Sequence, residues 1–231
     1  MTTSVTPAPR IASFMSGAMR IFELSLGEML WSRRTIFMAL VVGGPVVVAV
    51  VLRIVQASGV VPFRVNGFAV DPMSMFGGMI WILFLRFIIP VLGVFYGTSL
   101  MADEIEDKTI TYLFTRPVRR GAVLVGKYIA YLVCTSLIVL PSVMVVYFLL
   151  VPFSRVPATF TLLVIDLALL AAGLAVYGAV FALVGRLLKR PLVVGLIFAF
   201  GWEQAAMLMP GYLKRFTIAH YIQGLVPHAV P

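Results

Sequence analysis

Five apolar runs, at residues 35–56, 77–101, 123–151, 160–185 and 191–209, take up most of this 231-residue chain. A helix that crosses a membrane needs about 20 mostly apolar residues, because the hydrocarbon core is about 30 Å thick and each helical residue rises about 1.5 Å. Lipid offers no partner to backbone N–H and C=O groups, and a helix satisfies them within one segment. The runs therefore predict an all-α polytopic membrane bundle of five spans. They leave no room for a separate soluble domain. Composition points the same way: 61% of the residues are hydrophobic and the mean hydropathy is +1.07, against about 45–50% apolar residues in a soluble domain.

The net charge of +9 raises the question of nucleic acid. A nucleic-acid binder gathers its cations on one water-facing patch, whereas the 18 Lys and Arg residues here flank the apolar runs. They read as topology signals, and no nucleic-acid partner is expected. With the N-terminus inside, twelve of them lie on cytoplasmic segments (Arg10, Arg20, Arg33, Arg34, Lys108, Arg116, Arg119, Arg120, Lys127, Arg186, Lys189 and Arg190). Five lie outside (Arg53, Arg64, Arg155, Lys214 and Arg215), and Arg86 is left within a span. The positive-inside rule thus places the N-terminus in the cytoplasm. The same assignment puts the 103–120 loop and the Gly185–Pro191 turn on one side.

Residues 1–10 are polar, contain two prolines and show no apolar core behind a charged region. They predict a disordered N-terminus without a cleavable signal; residues 11–231 form one transmembrane domain. Over 11–34, Phe14, Met15, Ala18, Ile21, Phe22, Leu26, Met29 and Leu30 recur at helical spacing, interrupted by Arg20, Glu23 and Glu28. This predicts an amphipathic helix on the cytoplasmic face; the alternative is a cytosolic extension of the first span. Gly43-Gly44-Pro45, Pro90 and Pro141 mark spans expected to bend. Gly93 and Gly97 form a GxxxG that lets another helix come close. The single cysteine, Cys134, lies inside the third run and fits no disulfide or metal pattern.

Between the second and third runs, residues 103–127 carry nine charged residues in twenty-five. Asp103, Glu104, Glu106 and Asp107 crowd the start of a predicted helix, where they oppose the positive end of its dipole, and Arg116-Pro117 ends it. A short acidic helix over 103–117, a proline break and a basic return to lipid follow from this pattern.

The order Glu104, Asp107, Thr109, Leu113, Pro117-Val118, Arg119 and Gly126-Lys127 resembles the cytoplasmic loop of ABC type-2 exporter permeases, with Lys108 in place of the usual Gly and Arg119 where Ser is common. The resemblance extends to the order of spans and to the interfacial helix before the first of them. It implies that 103–117 is a coupling helix seated on a separate cytoplasmic ABC ATPase, with Glu104, Asp107, Thr109, Leu113, Arg116, Pro117, Arg119 and Lys127 as the coupling residues. It further implies ATP and magnesium in that partner and no cofactor in this chain, a second permease subunit in a homodimer or heterodimer, and a prokaryotic plasma membrane. Members of that family usually have six spans, so the tail 210–231 is expected to lie outside and its residues 210–225 to be the short external helix that precedes a last span beyond this chain.

Arg86, Asp166 and Glu203 are the ionisable residues within spans. An unpaired charge at mid-bilayer costs at least about 2.5–3.5 kcal/mol, so each is expected to face the bundle interior, water or the others. The topology puts all three in the outer half of the membrane, where one ionic cluster would line a substrate path; a structural pairing or snorkelling to the interface is the plainer alternative. The run Gly121–Lys127 fits GxxxxGK, but Tyr128 follows where a phosphate loop needs Ser or Thr, and Arg119-Arg120 precede it instead of a strand. The two histidines, His220 and His228, stand in the tail, and no catalytic constellation is present. The expected function is the permease subunit of an ATP-driven exporter, not an enzyme. An ATP-independent secondary transporter or channel is the alternative, and an integral-membrane lipid enzyme the next.

Overall fold

The computed structural model describes residues 14–58, 64–65, 68–69, 71–100, 120–208, 215 and 217–225. Helix α1 spans Phe14–Leu30 and α2 Arg33–Ser58. Between them Ser32 turns the chain: its Oγ accepts the Thr35 N–H at 3.3 Å, as an N-cap does, and donates to Met29 O at 3.1 Å. A turn at Trp31–Ser32 thus separates α1 from α2. Its buried face is built of small residues, Gly17, Ala18 and Ser25. Met15, Leu24 and Trp31 point outward.

Two two-residue strands, β1 (Arg64–Val65) and β2 (Phe68–Ala69), pair antiparallel after α2, with Arg64 opposite Ala69 and Val65 opposite Phe68. Helix α3 then runs over Pro72–Leu100. Asp71 starts it: Pro72 occupies the first helical position and Asp71 Oδ2 accepts the Met73 N–H at 3.2 Å. The other carboxylate oxygen, Oδ1, takes Arg155 Nη1 at 2.5 Å. Two stretches of α3, Ile80–Ile88 and Gly93–Gly97, are π-helical. Pro90, expected to disturb this span, lies between them.

Helix α4 covers Arg120–Leu150, and a single turn at Phe153–Arg155 leads into α5, Val156–Leu187. Helix α6 is made of Pro191–Leu196, a π-helical Ile197–Trp202 and Glu203–Leu208. Helix α7, Ile218–Gln223, rests on α5, where Ile222 faces Gly173. Pro45 and Pro141 lie inside α2 and α4, which continue through them. Among the described residues four helices are long and apolar enough to cross a membrane, in α2, α3, α4 and the 153–187 region; the fifth apolar segment, Pro191–Ala206, is shorter.

Helix α3 is the centre of the bundle. Its apolar window is 61% buried, against 22% to 33% for the other three long helices. Side chains fix the neighbours' directions. Tyr128 Oη donates to Ala175 O at 2.7 Å, Tyr131 Oη to Leu174 O at 3.0 Å, and Tyr147 Oη meets Thr159 Oγ1 at 2.6 Å, so α4 and α5 are antiparallel. Phe14 meets Gly121, and Ala18 meets Gly126, so α1 runs along the first turns of α4 in the same direction.

The predicted GxxxG is an approach point. A Cβ on Gly93 would stand 2.9 Å from Tyr177 Cβ, and one on Gly97 2.9 Å from Phe181 Cβ. Gly185 of α5 likewise lies against the backbone of Thr98. Small residues on both helices let their axes close without a driving force from water.

Candidate functional site

The regions of α3 and α6 around the charged residues Arg86 and Glu203 face each other. Phe87 of α3 and Phe200 of α6 are in ring contact at 5.7 Å, and a Cβ on Gly195 would lie 3.0 Å from Val94. Beyond the Phe87–Phe200 contact Arg86 Nη2 donates to Gln204 Oε1 at 2.5 Å. The Arg86 guanidinium carbon stands 5.1 Å from the centre of the Trp81 ring, within cation–π range. The buried indole N–H of Trp81 has no acceptor among the described residues. One residue before Gln204, Glu203 turns to α5, where Tyr177 Oη donates to its Oε2 at 2.5 Å. Tyr177 and Glu203 are 0% and 2% exposed, so this bond is made out of contact with solvent and lipid.

Asp166, also buried, shares the inward face of α5 with Leu163, Leu170, Leu174 and Tyr177. It lies eleven residues from Tyr177, about 16 Å along the helix. Arg86, Asp166 and Glu203 therefore do not share one cluster. Arg86 stands midway along Pro72–Leu100, and Glu203 bonds the half of α5 that ends at Leu187; only Asp166 lies toward the Val156 end. Residue 203 is about 18 Å along α6 from Pro191, just past the middle of a 30 Å core.

Sequence reasoning missed Trp81, Tyr177 and Gln204. Residues five apart on an α-helix diverge by about 140°, so Trp81 and Arg86 have no reason to meet at 3.6 residues per turn. The i→i+5 hydrogen bonding of Ile80–Ile88 changes that angle, and such segments occur often at functional sites. Gln204 was visible as a second polar residue beside Glu203. Tyr177 carried no signal until its hydroxyl had a carboxylate to meet.

Glu104, Asp107, Thr109, Leu113, Arg116, Pro117 and Arg119 lie outside the described residues. Lys127 is half-buried on the second turn of α4. The contact of Thr98 with Gly185 brings the end of α3 to the end of α5. The segment that follows Leu100 and the turn at Leu188–Arg190 consequently start from the same end of the bundle.

Residues 12–225 match the model of one protein family, ABC-2 family transporter protein. The chain belongs to the ABC-2 family. No curated protein and no solved structure matches it. As an ABC-2 chain it is a multi-pass membrane protein and the membrane component of a transporter, a class that associates with an ABC ATPase and typically has no ATPase site of its own. In this ABC-2 chain the Gly121–Lys127 run is helical from end to end, and Gly126 lets Ala18 O approach to 2.7 Å of where a Cβ would stand. The run's glycines serve helix packing.

Proposed function

We propose that this chain is the permease subunit of an ATP-driven exporter in a prokaryotic plasma membrane. Two permease subunits alternate their packing to move the substrate, and a separate cytoplasmic ATPase, which holds the ATP and magnesium, drives them through residues 103–117. The observation that carries this reading is the family match, which spans α1 to α7. Support for the coupling segment comes from its acids and its Arg116-Pro117 stop, and from its attachment at the α3 and α4 ends beside Arg186, Lys189 and Arg190.

The substrate path in this proposal passes the α3–α6 crossing. Arg86 offers guanidinium donors beyond the one held by Gln204, and Trp81 offers a buried N–H. Those groups suit a polar or anionic substrate moiety held near mid-membrane, with Glu203 and Tyr177 fixing α6 against α5. Asp166 lies farther along the same face of α5 toward the outer end and belongs to the path there.

The test is co-purification followed by reconstitution. The chain and an ATPase encoded beside it are expected to copurify and to move solute only with hydrolysable ATP. Solute movement by the chain alone under a proton or sodium gradient would overturn the proposal.

A further inference from the structure

At the Arg186 end of the bundle α4 and α5 part. The bond from Tyr128 Oη to Ala175 O closes the floor of the gap. Beyond it opens a groove of about 330 Å³, with Leu124 and Tyr128 on one wall, Ala179 and Ala182 on the other, and Arg186 at its mouth. That volume is within the usual range for a small-molecule site, roughly 300–1,000 Å³. Only Tyr128 and Arg186 among the lining side chains carry polar atoms, and the tyrosine hydroxyl is spent on Ala175 O. The groove is thus an apolar trough with one cation at its end. Arg186 is exposed and no carboxylate pairs with it among the described residues. Exposed Lys189 and Arg190 follow within a few residues.

We infer that this groove binds an anionic phospholipid from the leaflet on the Arg186 side, one acyl chain against Leu124, Ala179 and Ala182 and the phosphate on Arg186. The charge order decides the occupant: an apolar channel ending in three exposed cations complements an apolar tail ending in a negative head group. From Ala179 to Arg186 the helix rises about 10 Å, roughly two-thirds of the hydrocarbon depth of one leaflet. Basic pockets between membrane helices on the positively charged side hold anionic head groups in this way. The inference is independent of the α3–α6 site and of any transported substrate.

The experiment uses the full chain in nanodiscs of equal parts phosphatidylglycerol and phosphatidylcholine, with lipids retained after extraction counted by native mass spectrometry. Wild type is expected to retain phosphatidylglycerol in preference. Arg186→Gln lowers that preference about fivefold, the factor corresponding to roughly 1 kcal/mol for one cation near a lipid surface. Ala179→Phe fills the trough without changing charge, and Leu124→Gln makes its opposite wall polar; each is expected to lose the retained phosphatidylglycerol. No preference in wild type would overturn the inference. So would Ala179→Phe and Leu124→Gln proteins that keep the wild-type preference, because the basic surface would then collect the lipid without the groove.

Discussion

The bond between Tyr177 and Glu203 gives the most direct measure of how α5 holds α6. Its oxygens are 2.5 Å apart, at the short end of the range for a hydroxyl on a carboxylate. Both side chains are fully enclosed, so neither gains a water partner when the other is removed. Hydrogen bonds to charged groups contribute about 1.5–3 kcal/mol in soluble proteins, while side-chain bonds between membrane helices average about 0.6 and reach about 1.7 kcal/mol. The short distance and full burial place this pair near the upper membrane figure, at about 1.4 kcal/mol, a tenfold change in the unfolding constant. The assay is a double-mutant cycle of Tyr177→Phe and Glu203→Gln, with unfolding followed by circular dichroism in mixed micelles as the denaturing detergent fraction rises. The cycle isolates the pairwise term from whatever else each residue contacts. A coupling energy below about 0.3 kcal/mol would refute the reasoning, since the bond would then be geometry without stabilisation.

Three further outcomes are expected. Gly97→Ala should destabilise the bundle by about 1–3 kcal/mol, because its Cβ would stand 2.9 Å from Phe181 Cβ and 3.1 Å from Gly178 O; Gly43→Ala, with nothing within 4 Å, should not, and equal unfolding midpoints for the two would contradict the close approach. Glu104→Lys and Arg119→Glu should each abolish ATP-driven transport while leaving membrane insertion intact, as read by a transport assay beside a membrane-fraction blot; normal transport by both variants would remove the coupling role. A cysteine placed beside Arg155 should react with an impermeant reagent from outside the cell, and one beside Arg190 only after permeabilisation; the reverse pattern would invert the topology.

The apolar runs contained the helical architecture before any packing was known. Twenty apolar residues in lipid have only the helix available to satisfy their backbone, so the helices were legible from hydropathy alone, although among the described residues four rather than five are long enough to cross a membrane. Ser32 and Asp71, not singled out in the sequence, start helices by a local device, one side chain bonded to a nearby N–H. Gly93 and Gly97 were legible as an approach point because spacing puts them on one face, although their partners Tyr177 and Phe181 were not. The contacts of Arg86 depended on rotation and depth, which no local pattern carries. Its approach to Trp81 needed the π-helical turn of Ile80–Ile88, and its bond to Gln204, 118 residues away in sequence, needed α6 to settle against Val94 and Phe87. A rotation of α6 by one residue, about 100°, would turn Gln204 away. Charge content is a property of the chain; which charges meet is set by side-chain packing between helices distant in sequence.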